Sequence, residues 1–320
     1  MASQIVVVTD QRDAHLPYVQ RHLADQMLVV DPLDVAKGKT LSFACSDNGM
    51  QVIYDGQVLD PKSIWFRKPG NAKDLRLAIG EKYTEYAVDA LQKHFFSLMS
   101  SFTNAYWLSD VFAINKASDK PLQIAIAKQL GFAVPDTLFT SDAEAAGAFI
   151  ASHGECILKT LVPFIEKVGE NRQKTLYASK VSIANMPDLR GLHQTPLIFQ
   201  QIVPPKYDVR VTVVRDKVFA ARIIHSSDDR GVRDWRMGHF EGNLIIERDE
   251  QLPKDIAEKC IEHVRRLGLQ FGAIDLVVDR QGIYWFLENN PNGQWAFVEK
   301  ETGQPIGGAI AELLTSPPSK

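Results

Sequence analysis

The sequence has little of what marks a secreted or membrane protein. Its three cysteines, Cys45, Cys156 and Cys260, stand far apart and form no Cys-x-x-Cys pair. So few cysteines, odd in number, exclude a disulfide framework and are typical of a reducing compartment, so we expect a cytoplasmic protein. The first residues, MASQIVVVTD, lack the basic start of a signal peptide. No apolar run reaches the roughly 18 residues that a membrane span needs.

The net charge is also small. The 36 Lys and Arg residues face 39 Asp and Glu residues, which gives a net charge of −3. Such a balance offers no electrostatic reason to bind nucleic acid or an anionic membrane, so we expect neither as a partner. What the sequence has is an ordinary globular composition, 45% hydrophobic and 23% charged, spread over 320 residues. That length exceeds one hydrophobic core and predicts two or three lobes.

The order of apolar runs and turn residues predicts three lobes of mixed α/β and α+β class. We place them at residues 1–115, 116–195 and 196–320. The first opens with a strand, a helix and a second strand, which is the pattern of a small α/β unit. Asp55 and Gly56 then predict a hairpin turn, and apolar residues at helical spacing follow over residues 75–102.

The second and third lobes differ in pattern. In the second, a helix ends near Gly131, and the segment from Ser141 to Glu144 has the spacing of a capping box that opens another helix. The third is rich in strands, with one helix over residues 254–267. A turn at residues 280–282 pairs its last two strands, FGAIDLVVD and GIYWFLEN, as a hairpin.

Three oxygen-bearing side chains are expected together on this hairpin. Residues i and i+2 of a strand face the same way, so Glu288 and Asn290 project together from the end of GIYWFLEN. The turn places Asp275, in the partner strand, across from residues 285–288. Two carboxylates and an amide oxygen are hard ligands that suit Mg²⁺. The alternative is a solvated strand end closed by a capping turn.

Two lysines and one strand are candidates for a nucleotide-binding site. Lys159 ends the apolar strand ECILKT, and Lys120 lies at the start of a helix, where an N-terminus attracts phosphate. Either lysine could instead lie at the surface with its charged end in solvent. The strand LIFQQIV offers backbone N–H and C=O groups to a planar base, unless it is an ordinary edge strand.

Three arginines form a second cationic group. Arg210 and Arg222 lie on the strands DVRVTVV and KVFAARIIH, and Arg236 follows in D-W-R. A guanidinium presents a rigid fork to phosphate or carboxylate, so three of them near one face of the sheet would suit an anionic transition state. Cross-strand ion pairs, for example with Asp208 or Asp234, are the alternative.

The order of these segments resembles the ATP-grasp ligase superfamily over residues 105–314. The matching segments are S-D-K, I-L-K, F-Q-Q-I-V, D-V-R-V-T-V-V, A-A-R-I, D-W-R, A-I-D-L-V-V-D and L-E-N-N-P-N-G-Q-W. Within that superfamily, I-W-F-R-K-P in the first lobe and the N-P-N-G-Q-W ending resemble the graspetide (microviridin-type) ligases. Those enzymes use ATP to join Asp or Glu side chains of ribosomal precursor peptides to Ser or Thr hydroxyls or Lys amines.

The resemblance implies an ATP-grasp fold with three parts: an N-terminal α/β domain, a central α+β domain and a β-rich C-terminal domain. It also implies ATP and a pair of Mg²⁺ ions as cofactors, with ATP between the second and third lobes. The matching residues are Lys120 and Lys159 for the nucleotide phosphates, Gln200, Gln201, Ile202 and Val203 for the adenine hinge, Asp275, Glu288 and Asn290 for Mg²⁺, Arg210 and Arg222 beside the transferred phosphate, and Arg236 on the acceptor side.

The partner implied by the resemblance is a precursor peptide with a leader and a core that contains Thr, Ser, Asp, Glu or Lys. We expect the leader near residues 166–180 and the neighbouring helix of the second lobe, and a homodimer is left open. The sequence departs from many ATP-grasp enzymes in its phosphate flap, which has Gly169 as its one glycine. Two alternative functions stay open, namely a carboxylate–amine ligase for a small molecule or protein tail, and a non-catalytic nucleotide- or peptide-binding module.

Overall fold

The computed structural model describes most of the chain. The described residues are 5–23, 26–47, 49–68, 72–79, 84–162, 164–167, 173–176, 178–186, 188–225, 244–249 and 252–318. Arg236, Asp234, Gly169 and part of the segment 166–180 lie outside them. None of the helices within these ranges is both long enough and apolar enough to cross a membrane.

The chain begins with a parallel sheet in the order β2-β1-β6-β7. Its strands are β1 (Ile5–Val8), β2 (Met27–Val30), β6 (Ser63–Phe66) and β7 (Tyr106–Trp107). Helix α1 (Leu16–Leu23) connects the first two strands, which confirms the predicted β-α-β opening. Every residue of β1 is buried, as its unbroken apolar run requires of a strand covered on both faces.

A small antiparallel sheet and four helices make up the rest of the first 117 residues. Asp55 and Gly56 both have positive φ angles, 49° and 79°, and form the predicted hairpin turn. The predicted helical stretch proves to be two helices, α3 and α4. The strands are β3 (Leu41–Ser46), β4 (Gly49–Tyr54) and β5 (Gln57–Leu59), and the helices are α2 (Pro32–Ala36), α3 (Ala72–Ile79), α4 (Thr84–Ser101) and α5 (Val111–Ala117).

The central sheet has four antiparallel strands in the order β12-β9-β13-β8. One of its faces packs against helix α7 through Ile150, Leu158 and Phe199. The strands and helices of this region are α6 (Lys120–Gln129), β8 (Thr137–Thr140), α7 (Ala143–His153), β9 (Glu155–Thr160), the hairpin of β10 (Phe164–Lys167) and β11 (Gln173–Leu176), β12 (Ser179–Ser182), a single 3₁₀ turn (Ile183–Asn185) and β13 (Leu197–Gln201).

The predicted start of α7 needs one correction. Ser141 does not cap this helix, because the N-cap residue is Asp142. The Asp142 carboxylate accepts hydrogen bonds from the backbone N–H groups of Glu144 (2.8 Å) and Ala145 (3.3 Å). Aspartate is as good an N-cap as serine, so the choice between adjacent candidates depends on where the chain turns after β8.

The last sheet has five antiparallel strands in the order β16-β15-β14-β17-β18. They are β14 (Tyr207–Val214), β15 (Lys217–His225), β16 (Leu244–Arg248), β17 (Phe271–Val278) and β18 (Tyr284–Asn290), with helix α8 (Lys254–Arg266) before the last two. The turn between β14 and β15 lies at residues 215–216. One face packs on α6 and α8 through residues such as Val211, Ile274 and Val264.

The other face of the last sheet shares a core with the parallel sheet. Two helices that the sequence analysis did not predict, α9 (Ala296–Thr302) and α10 (Ile306–Thr315), complete this core. Val7, Phe271 and Trp295 belong to the same buried cluster. Helix α10 packs against α1, where a side chain at Gly307 would place its Cβ 2.3 Å from the carbonyl oxygen of Tyr18. The two ends of the described chain are therefore built around one core.

Candidate metal and nucleotide site

The hairpin of β17 and β18 brings the three predicted metal ligands together. Asp275 pairs with Glu288, and Ala273 pairs with Asn290. Residues that pair across an antiparallel ladder share a face, as do residues two apart, so Asp275, Glu288 and Asn290 lie on one face of the sheet. A register shift directly after Asp275 marks a local irregularity of the hairpin at this point. The predicted position of Asp275 opposite the end of β18 is confirmed.

A cation lies beside each of the two carboxylates. Arg210 on β14 pairs with Asp275, and its Nε lies 3.2 Å from Asp275 Oδ1. Lys120, the first residue of α6, has its Nζ 3.5 Å from Glu288 Oε2. The side chains of Arg210 and Asp275 are 4% and 11% exposed, so this pair is largely shielded from solvent. Two negative and two positive charges therefore meet at the end of one hairpin.

The donor set fits a hard divalent cation. Mg²⁺ is bound by carboxylates and other oxygen ligands and keeps waters or phosphate oxygens in its remaining positions. Two carboxylates and one amide oxygen supply such a partial set. The described part of the chain has no group of three or more His, Cys, Asp and Glu side chains placed to hold a metal. A metal at this hairpin would therefore need the Asn290 amide and ligands from outside the protein.

Helix α6 is fastened to the strand that carries two of these residues. Gln123, one turn after Lys120, donates from Nε2 to the carbonyl oxygen of Asn289 (2.7 Å) and accepts from the Asn289 N–H at Oε1 (2.8 Å). Both side chains are buried. Asn289 lies between Glu288 and Asn290, so Gln123 fixes the backbone on which both are mounted. The sequence analysis did not identify Gln123, although it lies on the face of α6 that carries Lys120.

A histidine supports this contact from α8. His263 Nε2 donates to the carbonyl oxygen of Gln123 (3.0 Å), and Asn289 Nδ2 lies 3.4 Å from His263 Nδ1. Burial lowers the pKa of His263 to about 4, so the ring is neutral at neutral pH. A neutral ring with its proton on Nε2 can accept at Nδ1, which agrees with the direction of both contacts.

The turn after β18 packs against the sheet and holds Asn290. The N–H of Asn292 donates to Asn290 Oδ1 (3.3 Å), and the N–H of Gly293 donates to the Asn290 carbonyl (3.1 Å). A Cβ at Gly293 would lie 2.3 Å from the Cβ of Ala273, so only glycine allows this close approach. The Asn290 side chain is therefore oriented by the backbone of the turn that follows it.

The predicted nucleotide residues form a second group, on the central sheet. Lys159 Nζ donates to Gln200 Oε1 (2.8 Å), and Gln200 Nε2 donates to Thr137 Oγ1 (3.0 Å). Register places these three side chains on the face opposite α7. Strand β13 pairs with both β9 and β8, so the alternative of an edge strand is wrong.

The predicted hinge connects the two groups. The side-chain oxygen of Gln201 accepts a hydrogen bond from the backbone N–H of Asp136 (3.2 Å), and the backbone N–H of Gln201 donates to the Asp136 carbonyl (2.8 Å). Ile202 and Val203 follow, in the five-residue segment that joins β13 of the central sheet to β14 of the last sheet. The hinge residues therefore lie where the chain passes from the sheet of Lys159 to the sheet of Arg210.

Comparison with solved structures identifies this arrangement. A RiPP-associated ATP-grasp ligase of Chryseobacterium gregarium, solved with ADP and a leader and core peptide, has 23% identity and a TM-score of 0.88, over 100% of this chain and 98% of that one. The macrocyclase MdnC of Microcystis aeruginosa, bound to precursor peptide MdnA, has 24% identity and a TM-score of 0.84, over 98% of this chain and 100% of that one. The chain has the ATP-grasp fold. No family model and no curated protein sequence matches it.

A more distant enzyme is also similar to this chain in fold. D-alanyl-alanine synthetase A of Vibrio cholerae has 12% identity and a TM-score of 0.55, over 98% of each chain. The RiPP-associated ligase and the macrocyclase MdnC therefore superpose on this chain with higher TM-scores than the D-alanyl-alanine synthetase does.

The pairing of β14 with β15 corrects the prediction that the arginines lie near one face of the sheet. Arg210 and Arg222 do not share a face, because Arg222 pairs with Val209, the neighbour of Arg210. Arg222 Nε donates to Asp249 Oδ1 (2.9 Å), and its guanidinium lies 4.8 Å from the ring centre of Tyr207. The ion-pair alternative thus describes Arg222, and Asp249 is a partner that the sequence analysis did not name.

The tryptophan that ends N-P-N-G-Q-W has a packing role in this ATP-grasp chain. Trp295 is fully buried in the core that joins the parallel and last sheets. Its indole lies edge-on to the rings of His15 (4.9 Å) and Tyr18 (6.0 Å). The ending therefore connects the hairpin of Glu288 and Asn290 to the parallel sheet.

Proposed function

We propose that the chain is an ATP-dependent peptide macrocyclase. It activates Asp or Glu side chains of a ribosomal precursor peptide as acyl phosphates and joins them to Ser or Thr hydroxyls or Lys amines. The observation that carries this proposal is the alignment of Asp275, Glu288 and Asn290 on one face of the hairpin, with Arg210 and Lys120 beside the carboxylates. The full-length similarity to two peptide-modifying ligases, which includes the parallel sheet, favours a peptide as substrate.

The proposed roles follow from charge and position. Asp275, Glu288 and Asn290 would hold Mg²⁺, which would supply positive charge beside the phosphates of the nucleotide. Lys120 and Lys159 bind the phosphates of ATP. Gln200, Gln201, Ile202 and Val203 supply the hinge for the adenine. We also propose Arg210, Arg222 and Arg236 as catalytic groups, and the pairing of Arg210 with Asp275 supports the role of Arg210.

The chemistry needs no nucleophile from the enzyme. A substrate carboxylate oxygen attacks the γ-phosphorus of ATP, and the bond to the β-phosphate oxygen breaks to release ADP. The resulting acyl phosphate is attacked at its carbonyl carbon by a substrate hydroxyl or amine, which loses its proton as phosphate leaves. The chain's contribution is positive charge beside the phosphates, from Lys120, Lys159 and Arg210, and the exclusion of water that would hydrolyse the acyl phosphate.

The remaining parts of the proposal concern organisation. The three lobes are residues 1–115, 116–195 and 196–320, with ATP between the second and third. The partner is a precursor peptide with a leader, which we place near residues 166–180, and the protein acts in the cytoplasm. A homodimer is compatible with this proposal.

Mass spectrometry of candidate precursor peptides tests the reaction. With ATP and Mg²⁺, each ester or amide bond should remove the mass of one water from the peptide, and one ADP should appear for each bond. Glu288→Gln, which removes a proposed ligand charge at a partly exposed position, should abolish the mass loss while the circular dichroism spectrum stays unchanged.

Three outcomes would contradict the proposal in different ways. AMP in place of ADP rejects the acyl-phosphate route. ADP formation with small carboxylic acids and amines, but with no peptide, supports the carboxylate–amine ligase that the similarity to the dipeptide synthetase suggests. Peptide binding without any nucleotide turnover supports a non-catalytic module.

A further inference from the structure

Two sequence motifs that the proposed reaction does not use meet in a buried cluster. Arg67, from I-W-F-R-K-P, directly follows β6 and is 2% exposed. Its Nη1 donates to the carbonyl oxygen of Asn292, in the N-P-N-G-Q-W turn. The contact lies at the carboxyl ends of β1 and β6, the edge at which α/β sheets commonly place functional groups. It connects the parallel sheet to the residues that follow Asn290.

The charge of Arg67 is balanced inside the cluster. Its Nε lies 3.4 Å from Asp13 Oδ2, which also accepts a hydrogen bond from Thr9 Oγ1 (3.0 Å). Burial tends to raise the pKa of Asp13, but the hydrogen bond with His15 and the charge of Arg67 together hold that pKa well below its usual range. Burial lowers the pKa of Arg67 to about 10, so the guanidinium stays protonated at neutral pH.

His15 holds the other end of the same turn. Its Nδ1 lies 2.5 Å from Asp13 Oδ1, and its Nε2 accepts a hydrogen bond from the N–H of Trp295 (3.1 Å). Burial, with the charge of Arg67 in the same direction, lowers the pKa of His15, so the ring is neutral. The neutral ring carries its proton on Nδ1, donates to Asp13 and accepts from Trp295.

The turn held at both ends carries the contact to Asn290. Arg67 binds the carbonyl of Asn292, and the N–H of Asn292 donates to Asn290 Oδ1 (3.3 Å), the atom assigned to the metal. A displaced Asn292 would therefore rotate the Asn290 amide. A buried ion pair is a costly way to fill a core, since apolar residues of similar volume pack there as well or better. The fork of Arg67 supplies what an apolar residue lacks, a donor to the Asn292 carbonyl.

We propose that Arg67 is a positioning residue for the metal site, which holds Asn290 in its ligating orientation through Asn292, with Asp13 and His15 fixing Arg67 and the turn. The proposal rests on the proposed function, because it takes Asn290 as a metal ligand. It gives the parallel sheet a part in the chemistry of the last sheet. Metal affinity should therefore depend on a residue that is itself buried away from the metal.

The test measures metal binding directly in the full-length chain. Mn²⁺ replaces Mg²⁺, and its binding in the presence of ADP is followed by electron paramagnetic resonance and by calorimetry. Arg67→Lys keeps the charge opposite Asp13 but loses the planar fork. We expect about tenfold weaker Mn²⁺ binding, because groups that orient metal ligands commonly contribute ten- to a hundredfold in affinity. ADP binding measured with the metal chelated should stay unchanged.

Arg21→Lys is the matched control. Arg21 also joins the two ends of the chain, through an ion pair with Glu299 on α9, but that contact lies outside the Asn290–Trp295 turn. It should leave Mn²⁺ affinity as in the parent. In turnover assays, Arg67→Lys should raise the Mg²⁺ concentration needed for half-maximal rate while kcat at saturating Mg²⁺ changes little. A role in packing alone would lower the Tm and leave the Mg²⁺ dependence of the folded protein unchanged.

A second variant keeps the proposal testable if Arg67→Lys does not fold. Asp13→Asn loosens the hold on Arg67 and should weaken Mn²⁺ binding in the same direction, by a smaller factor. Parent-like Mn²⁺ affinity in a folded Arg67→Lys or Asp13→Asn variant overturns the inference and leaves the proposed function standing. Absence of Mn²⁺·ADP binding in the parent chain overturns the proposed function, and the inference falls with it.

Discussion

The two hydrogen bonds between Gln123 and Asn289 should contribute strongly to the stability of β18, the strand that carries Glu288 and Asn290. Strand β18 ends the order of the last sheet, and the Asn289 N–H and C=O are both satisfied by the Gln123 amide. In Gln123→Met, which keeps length and volume, both backbone groups of Asn289 lose this partner, as does the carbonyl oxygen of Ala117, to which Gln123 Nε2 also donates (2.6 Å). Each buried unsatisfied polar group costs about 1–3 kcal/mol, so the two groups of Asn289 alone should lower the free energy of unfolding by about 2–6 kcal/mol.

Urea denaturation followed by tryptophan fluorescence measures this loss. Gln129→Met is the matched control, a glutamine of the same helix that is exposed and whose amide accepts one long hydrogen bond from Arg266. Surface substitutions of this kind stay within about 0.5 kcal/mol. If Gln123→Met loses no more stability than Gln129→Met, the reasoning from buried hydrogen bonds is wrong. Mn²⁺ binding should weaken in Gln123→Met as well, because Glu288 and Asn290 flank the released residue.

Two other perturbations follow from the geometry. Gly293→Ala places a methyl group 2.3 Å from Ala273 Cβ and should lower the free energy of unfolding by about 1–3 kcal/mol. Ala273→Gly in the same chain should restore part of this stability. A Gly293→Ala variant as stable as the parent would contradict the packing of the turn. His263, with its pKa lowered to about 4, should make the fold acid-sensitive. Below about pH 6.5 this histidine is protonated in the unfolded chain but stays neutral in the folded chain. The free energy of unfolding therefore falls as the pH drops toward 4, by up to roughly 3 kcal/mol. His263→Gln should flatten this part of the stability curve in urea titrations at several pH values, and an unchanged slope would count against the burial argument.

The fold and the candidate ligands were accessible from sequence because they depend on local rules. Period-two alternation places Glu288 and Asn290 on one face, and a turn at residues 280–282 fixes Asp275 opposite them. Both facts lie within a short segment of chain. Four strands of the last sheet, all except β16, were likewise predicted from unbroken or alternating apolar runs, which the buried residues of β14 and β17 explain.

The face of Arg222 was also within reach of the sequence. A two-residue turn between β14 and β15 makes odd-numbered residues pair with even-numbered ones, so Arg210 and Arg222 must point to opposite faces. The prediction of a common face failed because proximity along the strands was taken for proximity on one side of the sheet.

Other contacts depend on long-range packing that no local pattern announces. Gln123 and Asn289 are 166 residues apart in the chain, and His15 and Trp295 are 280 apart. Helix α10 lacked a recognisable period because its glycines serve the close approach to α1, where Gly307 lies against Tyr18. Asp249 became the partner of Arg222 through the return of the chain after β16, whose short, half-exposed strand carries a weak pattern.

The core shared by the two ends of the chain has a consequence for synthesis on the ribosome. The parallel sheet appears first, yet Trp295 and helix α10, which cover one of its faces, emerge only after the strands of all the described sheets have been made. Domains that complete their cores early can fold as they leave the exit tunnel. The parallel sheet cannot complete its core so early, because one of its apolar faces stays uncovered until Trp295 and α10 have been made. The stretch that finally covers it begins directly after Asn290. The chain therefore closes its first core and finishes its candidate metal site in the same late step.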